Sequence, residues 1–198
     1  MISIESFGLG YKSVLSDITV CVPKKTYYHH LGTQIIEMCL AYSNDGWGFF
    51  RSGDPVNALA SFTYGAGWLD AGLALGVIKI RSDSKLSGHR NTISHFNENV
   101  HEAELQEHLV EKTERYCQML KSACQALDYA PDKESPMILA ANEIYNKGKE
   151  NLHEGLSVLA QGMYVNALAK FSYGYGWLDV GVRAGLFSIR KNRELFTI

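Results

Sequence analysis

Residues 56–80, VNALASFTYGAGWLDAGLALGVIKI, return at 165–189 as VNALAKFSYGYGWLDVGVRAGLFSI, and how this pair is read decides the fold. The two stretches align without a gap at an offset of 109 residues and are identical at most positions. Asn57/Asn166, Phe62/Phe171, Tyr64/Tyr173, Trp68/Trp177, Leu69/Leu178 and Asp70/Asp179 all match. So do the glycines Gly65/Gly174, Gly67/Gly176, Gly72/Gly181 and Gly76/Gly185. Upstream, the same offset pairs Gly46 with Gly155 and Gly53 with Gly162. The chain carries an internal duplication.

Each copy predicts a helix. Ala58, Phe62, Gly65, Leu69, Gly72 and Gly76 follow the 4-3-4-3-4 spacing of one helical stripe, and strand alternation fits neither copy. Asp54 is a good N-cap and Pro55 a good first residue; the second copy has only Gly162 as a turn signal. A helical glycine costs about 1 kcal/mol against alanine, so four need a compensating reason. The expected reason is a packing seam of Gly65, Gly72 and Gly76, repeated by Gly174, Gly181 and Gly185, on which a neighbouring helix rests.

Working outward, residues 102–128 place Leu105, Leu109, Tyr116, Leu120, Ala123 and Leu127 on one helical face. A turn at YAPDKESP follows, with Ser135 and Pro136 as a helix start, and 137–160 form a second helix. Three amphipathic helices with short connections predict an up-and-down bundle. The first half keeps two of them, about 27–52 and 55–80. Its own first helix is doubtful, because KSVLSDITVCVPK reads as a short strand as much as a helix. The expected fold class is all-α. It comprises an incomplete or decorated N-terminal repeat (1–80), a polar linker (81–100) and a C-terminal three-helix repeat (101–198).

Composition narrows function mainly by exclusion. The 198 residues are 46% hydrophobic with a formal net charge of −2, so a core is available and a general polyanion binder is disfavoured. The four cysteines include no CxxC pair or zinc spacing; Cys117 and Cys124, two helical turns apart, lie about 10 Å from each other along an axis, too far for a disulfide. They read as small core residues in a reducing compartment. The seven histidines show no ligand pattern, so neither a metal nor a cofactor is expected. The longest apolar stretches carry Asp70 or Asp179 near their middle, which argues against a membrane span. A cytoplasmic protein is expected.

Asp70 and Asp179 are the sharpest chemical candidates. A carboxylate amid apolar residues needs a donor or a proton, and a tyrosine, an indole N–H or a backbone amide across the bundle would supply one. Arg183 is an i,i+4 partner for Asp179, but Ala74 stands in the first copy, so that pair cannot be the shared reason. Tyr64 and Trp68, with Tyr173 and Trp177, form a second stripe that reads as core, or as an interface hot spot if exposed.

The segment VNALAKFSYGYGWLDVGVRAGLF resembles the archaeal domain of unknown function 357. The likeness lies in the Asn-Ala start, the Tyr-Gly-x-Gly and the Trp-Leu-Asp run, strongest over about 25 positions per copy. The resemblance implies a small left-handed three-helix bundle and carries no activity. Two copies in one chain suggest a fused, pseudo-symmetric dimer.

The expected function is a non-enzymatic helical scaffold or interaction module, with an unidentified protein partner or self-association, including a homo-oligomer. A second reading is a small-ligand pocket between the repeats lined by Tyr64, Asp70, Tyr173 and Asp179. A third is an acid–base enzyme using Asp70 and Asp179.

Overall fold

The computed structural model describes residues 2–81, 96 and 103–197. Apart from Arg81 and Phe96, the expected linker lies outside the described residues, as do His89, His95 and His101. The element order is α1 (Ile4–Leu15), β1 (Ile18–Val20), α2 (Tyr27–Arg51), α3 (Pro55–Ala74), β2 (Ile78–Ile80), α4 (Ala103–Ala126), β3 (Leu127–Tyr129), α5 (Met137–Leu159), α6 (Tyr164–Arg183) and β4 (Phe187–Ile189). The described residues are predominantly helical, with only short antiparallel strand pairs, so the fold is all-α.

The duplication extends further than the sequence pattern showed. The first repeat does have its first helix: α1 runs for 12 residues, half the 24 of α4, and is capped by Ser3, whose hydroxyl accepts from the Ser6 N–H. The strand read in KSVLSDITVCVPK is also present, immediately after α1. It pairs with β2, Ile18 opposite Ile80; at the same offset Leu127 of β3 pairs with Ile189 of β4. Each repeat is therefore a helix, a strand, two helices and a closing strand. The ribbon ties the end of its first helix to the end of its third.

The glycine-rich helices stop short of the predicted 80 and 189, and local chemistry sets the stop. Gly76 and Gly185 have φ of +68° and +72°, the left-handed conformation that glycine adopts without steric cost. Val77 N–H donates to Gly72 C=O and Gly76 N–H to Leu73 C=O, with Leu186 to Gly181 and Gly185 to Val182 in the second copy. This is the Schellman pattern, which satisfies the last carbonyls of a helix and turns the chain away. At the other end of α3, Asp54 accepts from the Asn57 N–H at 2.9 Å, as its N-cap role requires.

α3 and α6 pack against each other at the centre; α2 covers α3, α5 covers α6, and α4 also lies on α6. One apolar core runs through both repeats, from Tyr11, Leu31, Ile35 and Phe62 to Leu120, Ile144, Phe171 and Leu178. A smaller cluster joins the starts of the two motif helices, Val56, Leu59 and Ala60 with Val165, Leu168 and Ala169, around Phe96 and Leu109. The repeats thus pack on each other within a single chain.

Candidate functional site: the joint between the repeats

The glycines divide into three groups by what faces them. Gly65 and Gly72 turn toward their own repeat. A Cβ on Gly65 would sit 3.0 Å from Tyr42 Cβ, and one on Gly72 would sit 2.9 Å from Ile35 and Ile78. Gly174 and Gly181 do the same against Asn151 and Ile144, each 2.8 Å away. Gly76 and Gly185 do not belong to this seam. They lie past the helix ends with nothing within 4 Å, and positive φ is the reason they are glycine.

The third group is Gly67 and Gly176, off the stripe that the sequence singled out. A Cβ on either would lie 3.2 Å from the Cα of the other and would run into the carbonyl oxygen of Tyr173 or Tyr64, respectively. These two positions let α3 and α6 meet backbone to backbone. The contact is its own mirror under the 109-residue offset, as a pseudo-twofold axis requires.

On either side of this contact the candidate tyrosines and acids pair reciprocally. The Tyr173 hydroxyl donates to Asp70 Oδ2 at 2.7 Å, and the Tyr64 hydroxyl donates to Asp179 Oδ2. Each bond takes its donor from one repeat and its acceptor from the other. The indoles of Trp68 and Trp177 are 0% and 4% exposed, so they are core and not an open surface.

The two ends of the joint differ. Asp70 is half-buried, whereas Asp179 is 1% exposed. Burial pushes the Asp179 carboxyl up to about 6 even though Tyr64, both donors of Thr197 and the nearby Arg183 charge favour its ionised form. The Thr197 N–H donates to Oδ1 at 3.2 Å and its hydroxyl to Oδ2 at 3.1 Å. Arg183 makes no ion pair with Asp179 among the described residues; its Nη2 donates to the Thr197 carbonyl at 3.0 Å. The Tyr42 and Tyr175 rings pack against Tyr64, at 4.5 Å and 5.9 Å between centroids. Tyr64 and Tyr173 are both raised far above the ordinary tyrosine range, first by burial and then by the carboxylate each faces. Neither hydroxyl gives up its proton at neutral pH.

Sequence periodicity missed Gly67, Gly176, Tyr42, Tyr175 and Thr197, because each acquires its role only against a neighbouring helix or the segment after β4. The available signal was the identity of Gly67 with Gly176, which no single-helix stripe explained. Among the described residues, no group of three or more His, Cys, Asp or Glu side chains is placed to hold a metal ion. No helix among them is long and apolar enough to cross a membrane.

Fold and joint together define a duplicated three-helix module, closed in each copy by a strand ribbon and fused across a pseudo-twofold axis. The family model described as "Protein of unknown function (DUF357)" matches residues 9–78 and 115–187, one match on each repeat. The chain belongs to this family and carries its domain twice. No curated protein and no solved structure matches it.

Proposed function

We propose that the chain is a non-enzymatic helical scaffold or interaction module of the cytoplasm, built by fusing two copies of one domain, whose repeated Tyr/Trp/Asp motif serves to join the copies. The observation that supports this reading is the reciprocal pairing of Tyr64 with Asp179 and Tyr173 with Asp70. The acids most suited to catalysis each accept a hydrogen bond from the other repeat. A group committed to such a bond is poorly placed to serve as a free general base. The protein partner is part of the proposal, as is self-association.

A double-mutant cycle tests it. Tyr173→Phe and Asp70→Asn, singly and together, give the coupling across the repeats from urea unfolding. The expected coupling is about 1–3 kcal/mol, as for a hydrogen bond to a charged acceptor. Light scattering on the same samples reads the mass of any self-assembly. Couplings near zero in this pair and in Tyr64/Asp179 would remove the motif from the joint, and the proposal with it.

A further inference from the structure

Thr197 is gripped on both sides of its backbone. Asp179 accepts its N–H and its hydroxyl, and Arg183 donates to its carbonyl. Asp179 and Arg183 stand one helical turn apart on α6. A carboxylate that takes the amino side of a residue, beside a guanidinium that takes the carbonyl side, is the charge pattern that reads the two ends of a free α-amino acid.

Thr197 satisfies that pattern incompletely. An amide N–H brings no charge to a buried carboxylate, and a carbonyl brings none to the guanidinium. Among the described residues, two buried polar atoms of α6 have no hydrogen-bond partner: the hydroxyl of Tyr175, a residue 4% exposed, and the Nε of Arg183. An unpartnered buried polar atom weakens a fold unless something supplies its bond. Neither residue is required by the duplicated architecture, since Ala66 and Ala74 hold the equivalent positions in the first repeat. These two side chains thus belong to the second repeat alone.

We infer that Asp179 and Arg183, with the hydroxyls of Tyr64 and Tyr175, form a binding site for a free hydroxy-α-amino acid, which Thr197 occupies in its absence. The ammonium of the ligand replaces the Thr197 N–H on Asp179, its carboxylate replaces the carbonyl on Arg183, and its hydroxyl takes the place of the threonine side chain. Phe196, buried in the shared core, stays in place while the exposed Thr197 swings away. Asp179 also faces Tyr42 from α2, whose hydroxyl is raised by burial. The inference stands apart from the scaffold reading, which holds whether or not a ligand enters.

The test uses the full chain with Thr197→Pro, which removes the two Thr197 donors to Asp179 and leaves that of Tyr64. The extended backbone of Phe196 (φ −109°, ψ 139°) suits a residue that precedes proline. L-Threonine is titrated while the melting temperature is followed. At tenfold above its Kd it is expected to raise the midpoint by about 3–6 °C. N-Acetyl-L-threonine, lacking the ammonium, and threonine amide, lacking the carboxylate, should give no rise, and Asp179→Asn added to Thr197→Pro should abolish the response. A folded Thr197→Pro chain that ignores threonine at tens of millimolar, or responds equally to the N-acetyl form, overturns the site. Should that variant not fold, saturation-transfer NMR on the wild-type chain decides. Transfer from tyrosine ring protons to free threonine, lost in Arg183→Met, supports the site, and no transfer overturns it.

Discussion

Gly67 and Gly176 face each other across the pseudo-twofold axis so closely that a Cβ on one would lie 3.2 Å from the Cα of the other. A side chain at either position has no flexible neighbour to displace, since the obstacle is the opposing helix backbone. Gly67→Ala and Gly176→Ala are therefore expected to destabilise by about 1–3 kcal/mol through overpacking, despite the helix-propensity gain of about 1 kcal/mol. Gly48→Ala in α2, where nothing lies within 4 Å, should be neutral or stabilising by about 0.5–1 kcal/mol. Urea unfolding of the three variants checks this. Equal effects at all three would mean that the axis is not tightly packed.

The turn glycines obey a different rule. Gly76→Ala and Gly185→Ala meet no neighbour but force a Cβ into left-handed backbone, at a cost of about 1–2 kcal/mol. Replacing Gly76 or Gly185 by asparagine, which tolerates that conformation better, should recover part of the loss. If alanine at these positions costs nothing, the Schellman ends are not what stops the helices.

Asp179 gives the fold a pH dependence of defined sign. Its folded pKa, about 6, lies above the ordinary 3.8, so the folded chain holds that proton more tightly than the unfolded one. The associated stability is fully present below about pH 4 and lost as pH rises through 6. Between pH 7 and pH 5 the wild type should gain about 1 kcal/mol relative to Asp179→Asn. Unfolding curves of both at the two pH values read the difference; midpoints that move in parallel would contradict the buried ionisable carboxyl.

The hydrogen bond from Tyr64 holds the Asp179 pKa down against burial. Tyr64→Phe is thus expected to move the apparent pKa of Asp179 above 6, observable by carbon NMR of its carboxyl. An unchanged titration would show that the Tyr64 hydroxyl does not hold the value down.

Phe96 lies between the two repeats, ahead of α4. It is 2% exposed, its N–H donates to Asn166 Oδ1 at 2.8 Å, and its ring meets Phe7 edge-on at 5.4 Å. Phe96→Ala should cost about 3–5 kcal/mol as a buried aromatic deletion. A loss under 1 kcal/mol would place the residue outside the core.

How much was legible in the sequence depended on whether one copy sufficed to see it. The start of α3 was readable because Asp54 and Pro55 act on their own helix. The stop was not, because Gly76 continues the spacing of Gly72 and VIKI continues the apolar run; only the backbone φ separates a turn glycine from a packing glycine. α1 was obscured because KSVLSDITVCVPK, which spans its last turn and β1, reads as a strand, and the glycines before it add no helical signal. Gly8 weakens the helical signal and is needed because a Cβ there would lie 2.7 Å from the Phe62 ring. For the acids, residue type announced that a donor was needed and that a tyrosine could be one. That the donor would come from the equivalent position of the other copy needed the axis, which no periodicity encodes.

The reciprocal bonds have a consequence for how such a chain can change. In an assembly of two identical chains, every substitution at the joint appears twice and the association weakens on dilution. Covalent linkage makes the same joint unimolecular, independent of concentration, and lets each half of it vary alone. Ala66 in place of Tyr175 and Ala74 in place of Arg183 are differences of that kind: the second repeat carries two side chains that the first does not, with the duplicated motif unchanged around them.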